Sequence, residues 1–389
     1  WPDNATVTVT GAIQDADALL GEIKRQYGPI PRAPKPIPSV YTVEPPQTGP
    51  RRVTMKRPGD SEIVTVAFKA PHARHPDVPA LKVLCDLLAD GQNCRFYQSL
   101  TAEDITLDVS ASMEATLDPS LLLISAEIAG KNSHEDVEDG ILEVLEDIIK
   151  DGVEHEEVMT SIGRLSAQAA FARDGSAALA GTIAESIGVG DWTLYQNLEK
   201  EIRNVTADRV RAAAKRWLNE DACTIGWYVS DSKAAPAEAS PAVSNNVVAE
   251  PVPLILPELP AADPASLKIA PRVTRTRTAR VDLLVCPGGS PDIVHLSGSI
   301  PAGSAADQAM ASLVVEMIQR GSTKHDAGEI GSLLDEAGIT LEFAAEGGYV
   351  HFQGSCLSNR LALLLSLLAE QLRQPAFPED ELKSIRSQL

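Results

Sequence analysis

The chain repeats itself at a distance of about 230 residues, and this repeat limits its possible folds more than any other feature. Glu62–Gly91 aligns without a gap on Asp292–Gly321, where Ile63, Val64, Pro71, Asp77 and Gly91 recur as Ile293, Val294, Pro301, Asp307 and Gly321. After a four-residue insertion, Ile105-Thr106-Leu107-Asp108 faces Ile339-Thr340-Leu341-Glu342. A third block sets Leu145, Glu156, Met159, Ser161 and Ile162 against Leu368, Glu379, Leu382, Ser384 and Ile385. Three collinear blocks in one order mean two copies of one folding unit.

Hydrophobic periodicity gives each copy its elements. Alternating runs predict strands at 51–56, 62–69, 104–113, 120–129 and 223–229, and 3.6-residue periods predict helices at 77–90, 134–151, 154–172, 176–188 and 206–218. A shorter helix is expected over 93–100. The second copy offers strands at 272–279, 281–286, 292–300, 339–345 and 348–355, with helices at 307–320, 326–337, 358–373 and from 378 onward. Strands interleaved with helix pairs predict an α+β fold with an antiparallel-rich sheet packed on helices. Upstream, Ala5–Thr10 alternates like a strand, and Asp15 caps a helix striped with Leu19, Leu20, Ile23 and Tyr27.

Two segments cannot be helix or central strand: the proline-rich run from Pro29 to Pro50, and Asp231–Ala270 with its seven prolines. Four regions follow: 1–49, a remnant of a preceding unit plus a linker; 50–232; an Ala/Pro-rich linker at 233–270; and 271–389, the first half of another unit. The linker is expected to be extended and poorly packed over 233–262. The strand near the start and the uncapped helical pattern at the end lead us to expect further sequence on both sides.

A net charge of −20 argues against a nucleic-acid backbone as partner. It serves solubility or, alternatively, sets up a field that attracts basic peptides. No apolar run reaches the length of a membrane span. The five cysteines, Cys85, Cys94, Cys223, Cys286 and Cys356, have neither disulfide-framework nor zinc-finger spacing, and Cys85, Cys223 and Cys286 lie in apolar runs that suit small buried hydrophobes.

The candidate chemistry is thin. His72 and His75 sit between Pro71 and Pro76 in a loop, and the second copy has Ala302 and Ala305 there, so they read as solvated histidines. His155 and His325 begin helices without a second ligand at metal spacing. Gly288-Gly289 and Gly347-Gly348 read as hairpin turns, and Arg173 as a helix-terminal ion pair. No catalytic, cofactor-binding or metal-binding residue is predicted.

The chain nevertheless resembles the insulinase/pitrilysin peptidases, whose zinc motif is H-x-x-E-H. Trp1-Pro2-Asp3-Asn4-Ala5-Thr6-Val7 through Gly28-Pro29-Ile30-Pro31 is similar to the end of that family's first domain. Val205-Thr206-Ala207-Asp208 through Lys215-Arg216-Trp217-Leu218 is similar to the end of its second, and 271–389 to the first half of its third. The family's motif begins nine residues before a glycine, so its His, Glu and His fall on Lys82, Cys85 and Asp86 in one copy and on Ser312, Val315 and Glu316 in the other. Neither set suits zinc, which the resemblance places in a first domain outside this chain. The resemblance implies a clamshell of duplicated metallopeptidase-like domains around a peptide chamber, this portion supplying wall and hinge. The implied partners are peptides or unfolded polypeptides and the other domains of the same protein, with a dimer as one allowed assembly and the periplasm as its location. The alternative is a pseudo-peptidase acting as a structural subunit, with no zinc site in any domain.

Overall fold

In the computed structural model, described for residues 2–36, 38, 45, 47–59, 61–230, 272–278, 281–288, 292–302, 308–379 and 382, the repeat becomes two α+β units. The first builds a five-stranded sheet from β1 (Arg51–Arg57), β2 (Ile63–Ala70), β3 (Thr106–Met113), β4 (Ser120–Ile128) and β5 (Thr224–Ser230) in the order β1-β5-β2-β4-β3. β1 and β5 are parallel, and every other pair is antiparallel. β2 alternates as its sequence requires: Val64, Val66, Phe68 and Ala70 are buried, and the residues between them face the other side.

On that buried face lies α2 (Val78–Ala89), apolar nearly all round and therefore enclosed: within Val78–Leu88 every residue except Lys82 is buried. It is covered in turn by α4 (His155–Phe171) and α7 (Ala207–Trp217), while α3 (His134–Lys150) packs against β2 and β4. Ser133 and Asp136 form a capping box at the start of α3, and Thr206 accepts a bond from Arg209 N at the start of α7. α5 (Ser176–Gly188) and α6 (Leu194–Ile202) complete the unit; α6 escaped the periodicity reading because it is only two turns long.

In the second unit a hairpin, β6 (Thr274–Arg277) and β7 (Asp282–Val285), precedes a sheet of β8 (Ile293–Pro301), β9 (Thr340–Glu346) and β10 (Tyr349–Leu357), in the order β8-β10-β9. This repeats β2-β4-β3, so Ile63 and Ile293 open one strand and Thr106 and Thr340 open another. The register is not identical. Thr106 pairs one residue beyond the partner of Ile63 (Ile128 against Glu127), whereas Thr340 pairs two short of the partner of Ile293 (Ser355 against Leu357). A tight turn closes the second hairpin, with Gly347 and Gly348 at φ 60° and 81°, the left-handed pair a two-residue loop demands. α8 (Gln308–Ile318), α9 (Ala327–Ala337) and α10 (Leu361–Arg373) complete this unit.

Two expectations are corrected. Residues 5–10 form no strand: among the described residues no strand pairs with them, and Val7 and Val9 are exposed. A lone strand cannot satisfy its backbone groups, so alternation without a neighbour stays irregular. The following helix, α1 (Ala16–Tyr27), forms with Asp15 as its cap but buries no residue. Cys286 is exposed, because its apolar run lies beside a two-stranded ribbon whose residues are all exposed; Cys85 and Cys223 are buried as their runs implied. The extended segment expected over 233–262 lies outside the described residues.

Candidate functional site: a cleft along an unpaired strand edge

β3 ends its sheet, so one row of its backbone donors and acceptors has no strand partner among the described residues. Beside that edge run α2 and α4, and between them lies a cleft of about 410 Å³ lined by Lys82, Cys85, Asp86, Asp90, Val109 and Gln168, among others. The positions onto which the resemblance carries the zinc motif, Lys82, Cys85 and Asp86, thus meet on one cleft floor. A second, more apolar cavity of about 250 Å³ opens further along, between α4, α5 and α6, and Lys82 lines it too.

The electrostatics of this floor decide what it can hold. Burial pushes the Cys85 thiol up to about 12, so it stays protonated at neutral pH. Asp86 is also pushed up by burial, to about 6, against the pull of Arg164, whose Nη2 lies 2.7 Å from Asp86 Oδ1 and whose Nε lies 3.2 Å away. Both members of this pair are buried. A divalent ion needs a thiolate or neutral imidazole with carboxylates free to converge. Here one position is cationic, the next a protonated thiol, and the third is held by a guanidinium. Zinc does not fit this floor. In the second unit the exposed Ser312 and Glu316 flank the buried Val315, which has no donor atom, so those three positions do not suit zinc either.

The histidines have other occupations. His75 is half-buried against Trp217, with ring centroids 5.4 Å apart, and its Nδ1 accepts from Asp77 N at 3.1 Å. Asp77 also accepts from Trp217 Nε1 and Arg216, each at 2.9 Å, tying the start of α2 to the end of α7. These are packed groups rather than the solvated histidines expected from the loop. His325 Nδ1 lies 2.8 Å from Glu370, but the Ser322 hydroxyl donates to that same carboxylate while accepting from Lys324 N and His325 N. The trio pins a loop to α10 and is not a nucleophile with its base. Arg173 pairs with Glu199 as predicted, though half-buried rather than exposed. No cluster of three metal-binding side chains occurs among the described residues.

Sequence reasoning singled out Lys82, Cys85 and Asp86 but missed Arg164, Gln168 and the apolar cavity beyond. The available signal was the pair Lys82 and Asp86, the two charged residues four apart in the otherwise apolar run Val78–Leu88, which marks where that helix meets a polar cleft.

The chain resembles a Helicobacter pylori protease structure (20% identity, TM-score 0.53) over 57% of its own length and 54% of that chain, so it spans about half of that protein. This likeness shows the fold. The inactive peptidase domain of a Bordetella parapertussis zinc protease is 22% identical (TM-score 0.43; 46% of this chain, 99% of that one). The periplasmic protease PqqL of Escherichia coli is 12% identical (TM-score 0.47; 96% and 45%). No curated protein sequence matches the chain. Residues 2–164, which reach from the irregular N-terminal segment into α4 and include the Lys82–Asp86 floor, match the family model of the peptidase M16 inactive domain.

Proposed function

We propose that the chain is a non-catalytic portion of a zinc-dependent endopeptidase of the insulinase/pitrilysin type, forming chamber wall and hinge for peptide substrates. The observation that carries this is the cleft along the unpaired edge of β3: it has the form of a site for an added strand, yet its floor carries Lys82, Cys85 and Asp86, which cannot hold zinc. In this reading the metal is bound by a unit outside the chain, and the chain's own cleft holds extended peptide without cleaving it. The resemblance supports a periplasmic location, which cell fractionation would test.

The test is metal analysis of the purified chain together with a fluorogenic peptide assay in added zinc. Less than one zinc per chain and no chelator-sensitive cleavage is the expected result. Stoichiometric zinc with chelator-sensitive cleavage would overturn it. If the full-length protein also lacks zinc-dependent cleavage, the pseudo-peptidase reading, a structural or partner subunit, takes its place.

A further inference from the structure

We infer that Lys82 makes the β3 cleft selective for an extended peptide carrying one acidic side chain flanked at two-residue spacing by large apolar side chains. This inference rests on the strand-adding reading of the cleft proposed above and names the class of peptide it takes.

Three observations converge. Lys82 is the one residue of Val78–Leu88 that is not buried, so the helix presents a single cation to the cleft. Among the described residues it makes no hydrogen bond or ion pair: adjacent Asp86 is taken by Arg164, and the rim acids Asp90, Asp108 and Glu185 form no bridge to it. Lys82 also lines both cavities, the cleft beside β3 and the apolar cavity near Ala115, just past the end of β3.

A strand laid along β3 turns alternate side chains toward the helices. One of these meets Lys82. The next on the same face, two residues on, reaches the cavity walled by Ala169, Ala172, Val189, Leu194 and Leu198. An acid at the first position gains a charge partner, and an apolar side chain at the second leaves water. The other charges at the rim set a limit. Asp90 accepts from Gln168, and Asp108 and Glu185 are exposed acids, so a peptide with many acids is repelled while a single one opposite Lys82 is favoured. The overall charge of −20 thus biases against acid-rich peptides, and Lys82 is a local exception to it.

The test uses the whole chain and fluorescein-labelled peptides of the pattern Val-Leu-Thr-X-Thr-Leu-Val, with X as Glu, Gln or Lys, so that either strand direction places leucine two residues from X. Binding is followed by anisotropy. The Glu peptide is expected to bind about 5-fold tighter than the Gln peptide, the size of a half-exposed ion pair. The preference should vanish in Lys82→Met and reverse toward the Lys peptide in Lys82→Glu, with melting temperatures unchanged. A Glu preference that survives Lys82→Met would overturn the assignment to Lys82 while leaving the cleft reading intact. Backbone N-methylation at alternate positions should abolish binding. If methylated and unmodified peptides bind alike, or none binds, the strand-adding reading itself fails.

Discussion

Replacing Arg164 with methionine probes the cleft floor and the joint between the two units together. Arg164 and Asp86 are 78 residues apart in sequence and both buried, with side-chain exposures of 8% and 3%. Removing the guanidinium leaves a buried carboxylate without its partner, a change that costs about 3–5 kcal/mol in comparable buried pairs. The carboxyl can escape part of that cost by taking a proton. With Arg164 present it titrates at about 6, so at pH 7.5 its ionised form is favoured by about 2 kcal/mol, at roughly 1.4 kcal/mol per pH unit. That is the share lost when the variant protonates instead, and the expected destabilisation at pH 7.5 is therefore about 2–5 kcal/mol.

The same numbers give the pH dependence. A folded value raised from 3.8 to about 6 means that the native state binds the proton more tightly. The stability this group contributes is complete below 3.8 and is lost as the pH rises through 6. At pH 5 the carboxyl is already largely protonated in the parent protein, so the difference between parent and Arg164→Met should shrink by about 2 kcal/mol. Urea unfolding followed by the fluorescence of Trp217 and Trp227 at both pH values measures this. The double variant Asp86→Asn, Arg164→Met should lie closer to the parent than the single one, since no charge is stranded. A loss below about 1 kcal/mol at pH 7.5, or an equal loss at both pH values, would refute the account of the pair.

Further outcomes follow from other contacts. Phe68, fully buried between β2 and its helices, should cost about 3–5 kcal/mol when replaced by alanine, read by the same denaturation curve. Gly338 ends α9 at φ 60°, and a Cβ there would lie 2.5 Å from that of Ala167 on α4. Gly338→Val should therefore separate the two units, seen as faster proteolysis of the second, and unchanged proteolysis would count against this packing. In the second unit the Ser322 hydroxyl, and then His325, hold the Glu370 carboxyl below its ordinary value of 4.5. Its contribution is present above 4.5 and is lost as the pH falls through the lower folded value, so Glu370→Gln should flatten the acid limb of the stability profile. An acid limb identical to that of the parent would mean that this carboxylate is not held as described.

Much of this architecture was legible in the sequence, because the signals that set it are local. Ser133 with Asp136 and Asp326 with Glu329 start their helices by capping backbone donors within one turn. Gly91 and Gly338 stop helices by adopting positive φ, and the alternation of Ile63–Ala70 fixes which face of that strand is buried. The repeat set out the strand pattern of β2, β3 and β4 a second time as β8, β9 and β10, and so set the fold class. Tertiary structure decided what depends on partners distant in the chain. β5 enters between β1 and β2, pairing Arg51 with Thr224, and nothing in either strand names the other. Ala5–Thr10 alternates as well as any strand here but finds no strand partner among the described residues. Arg164 reaches across 78 residues to hold Asp86, which makes half of a buried ion pair of the position where the resemblance puts the motif's last His. Periodicity reports which way a side chain faces relative to its own backbone. Which group it meets there is set by the packing of whole elements, and on that packing the charge of the cleft floor depends.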